Sequence, residues 1–397
     1  MNMKNNLFLI LFCLPFFVIG QQTYVPDDNF EQELINLGYD NIIDNYVLTS
    51  NINSLDSLNV SGLNISDFTG IEDFVSLTFL DCGSNQLSTI DISQNILLKI
   101  LHCYGNQLTD LDVSYNINLE ILNFRFNQLT SLDLSQNTVL EVLWGDVNQL
   151  VSVNINNNIA LVELGLGQNL LTSIDLTNNI NLTSIALNVN QLSTLDVTQN
   201  INLISLGCLY NNLTSLDLSQ NVNIENVSFY NNQISNIDLT QNVLLKNLDC
   251  FENNLSSIDL SQNIILENLK CYDNLITNLD LSNNSNLRTV LCHNNQLTSL
   301  DLKNGNNISD SLFVKHDNNP NLFCVEVDDV FYSANYWEGD FQSYYNTNCN
   351  LSTIQDYSTN KQPFKTIDLL GRETKQRNQL LFYIYDDGTV EKKIIIE

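Results

Sequence analysis

Positive charge is scarce in this 397-residue chain: 15 Lys and Arg stand against 45 Asp and Glu, a net charge of -30. A surface so acidic repels phosphate backbones, which argues against nucleic acid as a partner. Histidine is scarcer still, with three in the whole chain. No phosphate loop, nucleophile elbow or zinc-binding helix motif occurs. Long apolar runs are missing beyond the first twenty residues. There, Lys4 precedes an apolar stretch from Leu7 to Ile19, and Val18 and Gly20 are small enough to precede a cut. Residues 1–20 are therefore expected to be a secretory signal peptide, with lipid modification of Cys13 as the alternative. The mature chain is expected to be soluble, with no transmembrane segment.

What is present is repetition. From Leu77 the motif L-x-x-L-x-C/L/F-x-x-N-x-L-x-x-L-D-L-x-x-N-x-x recurs every 21 residues, eleven times without insertion, the last copy opening at Leu287. Each copy nests two half-units, as in residues 77–87 and 87–98, and each half reads L-x-x-L-x-L-x-x-N. Alternation of apolar and polar residues inside L-x-C and L-D-L is a strand pattern, so each half-unit is expected to supply one short strand. Each inward leucine contributes about 1.5 to 3 kcal/mol when buried, yet one coil cannot cover its own face. The array therefore folds only as a stack.

The motif resembles the leucine-rich repeat in its nested 21-residue bacterial variety, over residues 77–304. The resemblance implies a solenoid of stacked coils with parallel sheets, mostly strand and turn with little helix. It also implies a recognition role towards protein or glycan rather than catalysis.

One column is Asn in all eleven copies: Asn85, Asn106, Asn127, Asn148, Asn169, Asn190, Asn211, Asn232, Asn253, Asn274 and Asn295. A second runs from Asn95 to Asn284. An unpaired buried amide costs about 1 to 3 kcal/mol, so these columns are expected to bond backbone groups of their own and the adjacent coil as structural ladders. Cys82, Cys103, Cys208, Cys250, Cys271 and Cys292 share one inward column, where other copies have Phe, Leu or Gly. They are expected to be small buried hydrophobes, because a single file of thiols among Leu and Asn offers no tetrahedral metal site.

The ends of such a stack need covering. Residues 21–76 are expected to form an amino-terminal cap. In it Asp28 and Glu31 would make a capping box, Phe30, Leu34 and Leu37 would share a helical face, and Gly38 would stop the helix. Residues 305–349 are expected to be a carboxy-terminal cap. Here Asn319 to Val327 interrupts the repeat ahead of an aromatic-rich stretch, and Cys324 and Cys349 are expected to form a disulfide.

A linker at 350–360 leads to a module at 361–397 with seven basic and six acidic residues, near +1, whereas residues 21–360 carry -32. The segments Ile367-Asp368-Leu369-Leu370-Gly371-Arg372, Phe382-Tyr383-Ile384-Tyr385, Asp387-Gly388-Thr389 and Lys392-Lys393-Ile394-Ile395-Ile396 resemble the carboxy-terminal sorting domain of the type IX secretion system of Bacteroidetes. The usual opening strand with its Asn-Pro is missing, as in a shortened form. The resemblance implies export by that machinery in a Gram-negative cell, then release or surface attachment; an ordinary terminal hairpin is the alternative.

Because the copies align with one another, variation between them separates scaffold from site. The outward Asp of the second half-unit hardly varies from Asp91 to Asp301, Asn154 being the exception. The outward columns of the first half-unit vary freely, and they hold the candidate ligand-binding residues Tyr104, Arg125, Trp144, Tyr230, Phe251, Tyr272 and His293. The last four are consecutive rungs, so a sugar or peptide could lie along their rings, flanked by Glu252, Asp273, Lys270 and Arg288; rings that merely brace adjacent coils are the alternative.

Carboxylates about 4.8 Å apart repel, so the Asp row needs compensation. Ser88, Thr130, Thr172 and Ser219 are expected to donate to it, and calcium could collect along Asp217, Asp238 and Asp259. No catalytic residues are expected. A carboxylate pair recurring in every coil is not a singular site, and His102 and His293 lie nine coils apart, about 43 Å. The expected function is exported recognition or adhesion, with a structural surface component as the alternative and a polysaccharide-degrading enzyme third.

Overall fold

A computed structural model describes residues 20–306, 312–349, 365–368, 372–374, 380–384 and 390–394. Most of the expected signal peptide, the linker at 350–360, and Leu369 to Gly371 and Asp387 to Thr389 of the tail lie outside the described residues. No helix among them is long and apolar enough to cross a membrane.

The residues up to Thr347 form one compact unit, a leucine-rich-repeat solenoid, and those from Asn348 form another. In the solenoid, the first half of every repeat supplies a three-residue strand, from Phe79–Asp81 to Thr289–Leu291. Adjacent strands pair in parallel with a register of 21 residues, as Leu206 with Val227. The result is a 13-stranded sheet. Eleven strands come from the repeats, and each cap lends one more, Ser57–Asn59 in front and Phe313–Lys315 behind.

The central residue of each strand points inward. Leu80, Leu101, Leu122 and Leu143 are fully buried, and so are the leucines that open and close each half-unit. All six column cysteines are free and fully buried. Removal from water pushes the Cys103, Cys208 and Cys271 thiols up to about 12, so they behave as apolar packing groups. Cys324 and Cys349, by contrast, are disulfide-bonded.

The second half-unit departs from expectation. It forms strand only at Asn278–Asp280 and Ser299–Asp301, with one isolated bridge between Asp133 and Asn154. These two strands lie where the cap strands Cys324–Glu326 and Tyr344–Asn346 extend the same sheet. Elsewhere this half keeps one backbone-to-backbone bond to the neighbouring coil, such as Gln107 N–H to Leu87 O at 2.8 Å. The chain then turns on its Asp: Asp91 Oδ1 accepts the N–H of Ser93 at 3.0 Å, and the pattern repeats through Asp280 and Ser282. This local turn replaces a ladder.

Every coil also bends through a left-handed residue just before the first-column Asn. Phe126, Val147, Val189 and Tyr210 have φ of 55, 60, 56 and 51°. The bend lets the amide that follows reach two coils. Asn169 Nδ2 donates to Gly145 O in the preceding coil (3.0 Å) and to Leu166 O in its own (3.1 Å), while Oδ1 accepts from Leu150 N–H (3.0 Å). In the second column, Asn179 Nδ2 donates to Ile155 O and Asn158 O, but its buried Oδ1 has no partner.

The caps correct three details. Helix α1 (Asp28–Asn36) is capped by Asp27, not Asp28; Asp27 Oδ1 accepts from Asn29 N–H and Phe30 N–H at 3.0 and 3.1 Å. Glu31 thereby moves inward, where its buried carboxylate accepts from Asp44 N–H and Tyr46 N–H. Phe30 and Leu34 are buried, but Leu37 is 44% exposed, since the helix ends at Asn36 and Gly38 (φ +84°) turns the chain away. Asn319 does not interrupt the repeat. It is the next rung, with Nδ2 donating to Cys292 O and Oδ1 accepting from Leu297 N–H. The coil it closes is three residues longer, and His316 replaces the column cysteine, bonding Tyr345 Oη at 3.0 Å.

In the second unit, Lys365–Asp368, Leu380–Ile384 and Val390–Ile394 form an antiparallel three-stranded sheet.

Candidate functional site

The seven candidate residues all stand half-buried on the outer face of the 13-stranded sheet. The structure does not gather them into one site. Tyr104, Arg125 and Trp144 lie in consecutive coils, and four coils, about 19 Å, separate Trp144 from Tyr230. Between them the outward residues are Gly165, Gly167, Ala186 and Gly207, with Asn188 and Leu209.

The first group is organised by charge. Arg125 Nε meets Asp146 Oδ2 at 2.5 Å, and its guanidinium lies 4.9 Å from the centre of the Trp144 ring. Asp146 Oδ1 also accepts the N–H of Gly167 at 2.9 Å. A side chain at Gly165 would press on Asp146 and Arg125, so the glycines there admit the cluster. Tyr104 lies edge-on to His102 and covers Gly83 in the same way.

The second group is a stack. Centroids are 4.0 Å apart for Tyr230 and Phe251, 4.3 Å for Phe251 and Tyr272, and 4.5 Å for Tyr272 and His293, with planes within 14° of parallel. Tyr210 closes one end edge-on at 5.3 Å. Rings this close cover one another's faces, leaving only their edges and phenol groups to solvent. Burial, then acidic neighbours, raises the Tyr230 and Tyr272 hydroxyls above their usual range, so both remain donors at neutral pH. Burial lowers His293 and favours its neutral form.

Of the residues expected to flank the stack, Glu252 accepts from Asn231 Nδ2 (2.5 Å), Asp273 from Asn294 Nδ2 (2.8 Å), and Lys270 pairs with Asp249 (3.2 Å). Arg288 is instead paired with Glu267 at 3.3 Å.

The Asp row is compensated by donors two residues downstream. Hydrogen bonds from the backbone and then the side chain of that residue hold Asp91, Asp133, Asp196, Asp238 and Asp259 below the usual carboxylate range. Ser219 donates its backbone N–H to Asp217 Oδ1 at 2.9 Å, whereas Ser88, Thr130 and Thr172 precede their Asp by three residues and do not take the role. Among the described residues, no group of three or more His, Cys, Asp or Glu is arranged to hold a metal ion.

Sequence reasoning missed two features of the stack: Tyr210 at its end, and the mutual covering of the faces. Tyr210 sits in the column of left-handed residues, so its approach to Tyr230 depends on a bend that the motif does not display.

Solved structures share this architecture. The functional domain of InlJ from Listeria monocytogenes, described as including a cysteine ladder, is 26% identical, with a TM-score of 0.70 over 94% of this chain and 98% of that one. Internalin InlF from the same species gives 22% identity and a TM-score of 0.56 over 80% and 96% of the two chains. A leucine-rich-repeat protein of Leptospira interrogans gives 22% and 0.55 over 75% and 85%. No protein-family model matches the chain, and no curated protein does.

Proposed function

We propose that this chain is an exported, non-enzymatic recognition protein that binds a protein or glycan at the cell exterior through the outer face of its long sheet. The observation that carries the reading is where variation lies. Within one molecule, Asn, Asp and Leu columns repeat almost unchanged, while the outward residues of this sheet change from coil to coil. Surfaces free of scaffold duty are where specificity can be written.

Tyr230, Phe251, Tyr272 and His293 form one ridge of the surface, and Tyr104, Arg125 and Trp144 the other. Because the stacked rings cover their own faces, a ligand meets ring edges and phenol O–H donors. A partner lying along the stack with hydrogen-bond acceptors suits that ridge better than a sugar stacked on a ring. The signal-like start and the sorting-type tail support passage to the outer surface.

The test is retention of the purified chain on immobilised surface proteins and polysaccharides, with assay for released fragments. Retention without fragments, weakened at least about 10-fold in Tyr230→Ser/Phe251→Ser/Tyr272→Ser, supports recognition. The close stacking also favours a structural surface component, in which the rings only brace adjacent coils. In that case the triple variant melts earlier and the wild-type chain is retained on nothing.

A further inference from the structure

Away from that sheet, the turn that follows each Asp presents another face. In the ten coils spanning residues 93–286, the five positions from Ser93 to Leu97 and their equivalents every 21 residues contain no charged residue in fifty, although the chain carries 60 charged residues in all. The fourth position is Ile or Val from Ile96 to Ile264, with Thr138 the one exception. These aliphatic side chains are 44 to 57% exposed. They form a ridge about 40 Å long at about 4.8 Å per coil. Contiguous exposed apolar surface of this kind marks an interface.

Polar columns border the ridge. On one side Gln or Asn stands at every position but Tyr115; on the other, Asn shares the column with the apolar Leu97, Val139, Ala160, Leu244 and Ile265, and Asn118, Asn181, Asn202 and Asn223 each donate one N–H to a backbone oxygen of the preceding coil, at 3.0 to 3.3 Å. That bond fixes the amide and leaves it an oxygen and a second N–H to offer.

We propose that this uncharged face is a self-association surface, covered by the same face of a second copy of this chain. Three features select that occupant. An identical chain has the same coil spacing, so every side chain meets an equivalent one along the whole ridge. An amide is both donor and acceptor, so the Gln and Asn of one flank can pair with the Asn of the other, which carboxylates could not do. And the face is free of charge in a molecule whose net charge of -30 opposes self-contact elsewhere.

Charge also sets the orientation. The Asp row borders the face on one side only. A two-fold axis along the stack reverses the column order and sets each Asp row opposite a column of mixed sign, in which Lys99, Lys246 and Arg288 stand among Glu120, Glu141, Glu225 and Glu267 and the rest are uncharged. A two-fold axis across the stack would set Asp row against Asp row.

Sedimentation of the full chain from about 1 to about 100 μM tests the proposal. A reversible dimer is expected, tightening as salt screens the repulsion between like-charged copies. Ile159→Ser/Ile180→Ser/Ile201→Ser is expected to weaken it at least about 10-fold with melting unchanged. Ile180→Glu, which opposes like charges across the axis, is expected to do the same. Tyr230→Ser/Phe251→Ser/Tyr272→Ser is expected to leave the dimer intact, which separates this surface from the ligand face. A chain monomeric throughout that range, or ridge variants that dimerise like the wild type, would overturn the proposal; if only ligand retention changed, the ridge would belong to another partner.

Discussion

The two halves of each repeat carry nearly the same motif, L-x-x-L-x-L-x-x-N, and fold differently. The first half pairs into an unbroken parallel sheet, satisfies its Asn completely and lets its outward residues vary. The second half, outside the two strands at the carboxy-terminal end, folds into turns on an Asp; it leaves its Asn oxygens unpartnered and keeps its outward residues nearly uniform. The inward pattern is thus sufficient for burial but not for sheet. What separates the halves is where the backbone hydrogen bonds go: to the next coil in the first, and to a side chain two residues back in the second.

That comparison is broken most forcefully at the Asn columns. Asn169→Ala removes the bonds donated to Gly145 O, Leu166 O and Gly167 O and one accepted bond, and leaves the Leu150 N–H buried without a partner. A loss of about 3 kcal/mol is expected, and about 2 kcal/mol for Asn179→Ala, which removes only donated bonds. Urea unfolding of the two variants measures the difference; equal losses would show that the two columns do the same work.

The opposite sign is expected at the left-handed bend. Val189 holds φ +56° with a β-branched side chain, a conformation costing about 1 to 2 kcal/mol in an L-residue. Asn tolerates it, so Val189→Asn is expected to stabilise the chain by about 1 kcal/mol, read in the same titration. An unchanged midpoint would mean that the apolar contacts of Val189 offset the strain.

The solenoid was legible because one 21-residue period displays the core, both Asn columns and the Cys file at once. The bend was not, because Phe126, Val147 and Val189 are poor left-handed residues and hide a position that Gly105 and Asn231 alone would suggest. Asn319 escaped because three extra residues take it out of phase, although its bonds are those of every earlier rung. The candidate columns could be read from their variability. The division of the candidate residues into two groups, and the burial of ring faces within the stack, could not: a spacing near 5 Å suits a brace and a binding strip equally, and ring orientation is not written in it.

A smaller effect sharpens the contrast between the repeats and their last, longer coil. Burial lowers His316 and His293 below the ordinary 6.5. Below that pH the unfolded chain takes up protons that the folded chain refuses. Stability is therefore full above about pH 6.5 and declines as pH falls towards the depressed folded values. Melting followed from pH 8 to pH 5 checks this, and His316→Asn is expected to flatten most of the slope. A slope of the opposite sign would mean that the neighbouring acids Asp317 and Asp340 outweigh burial.

The smallest effect is expected from calcium on the Asp row, and it tests whether the second half-unit owes its uniformity to ions or to turns. Calcium takes six to eight oxygens at about 2.3 to 2.6 Å. The row offers one carboxylate per coil, and one oxygen of each already accepts a backbone N–H, as Asp217 does from Ser219 and Asp259 from Ser261 at 2.9 Å. These hydrogen bonds hold Asp238 and Asp259 ionised without a cation, and each loses its contribution as pH falls below the ordinary 3.8 and through the depressed folded value. Melting in millimolar calcium and in chelator is accordingly expected to agree within about 1 °C. A rise of several degrees in calcium would show Asp217, Asp238 and Asp259 sharing ions between coils, and would make the invariance of the row a matter of metal binding rather than of backbone geometry.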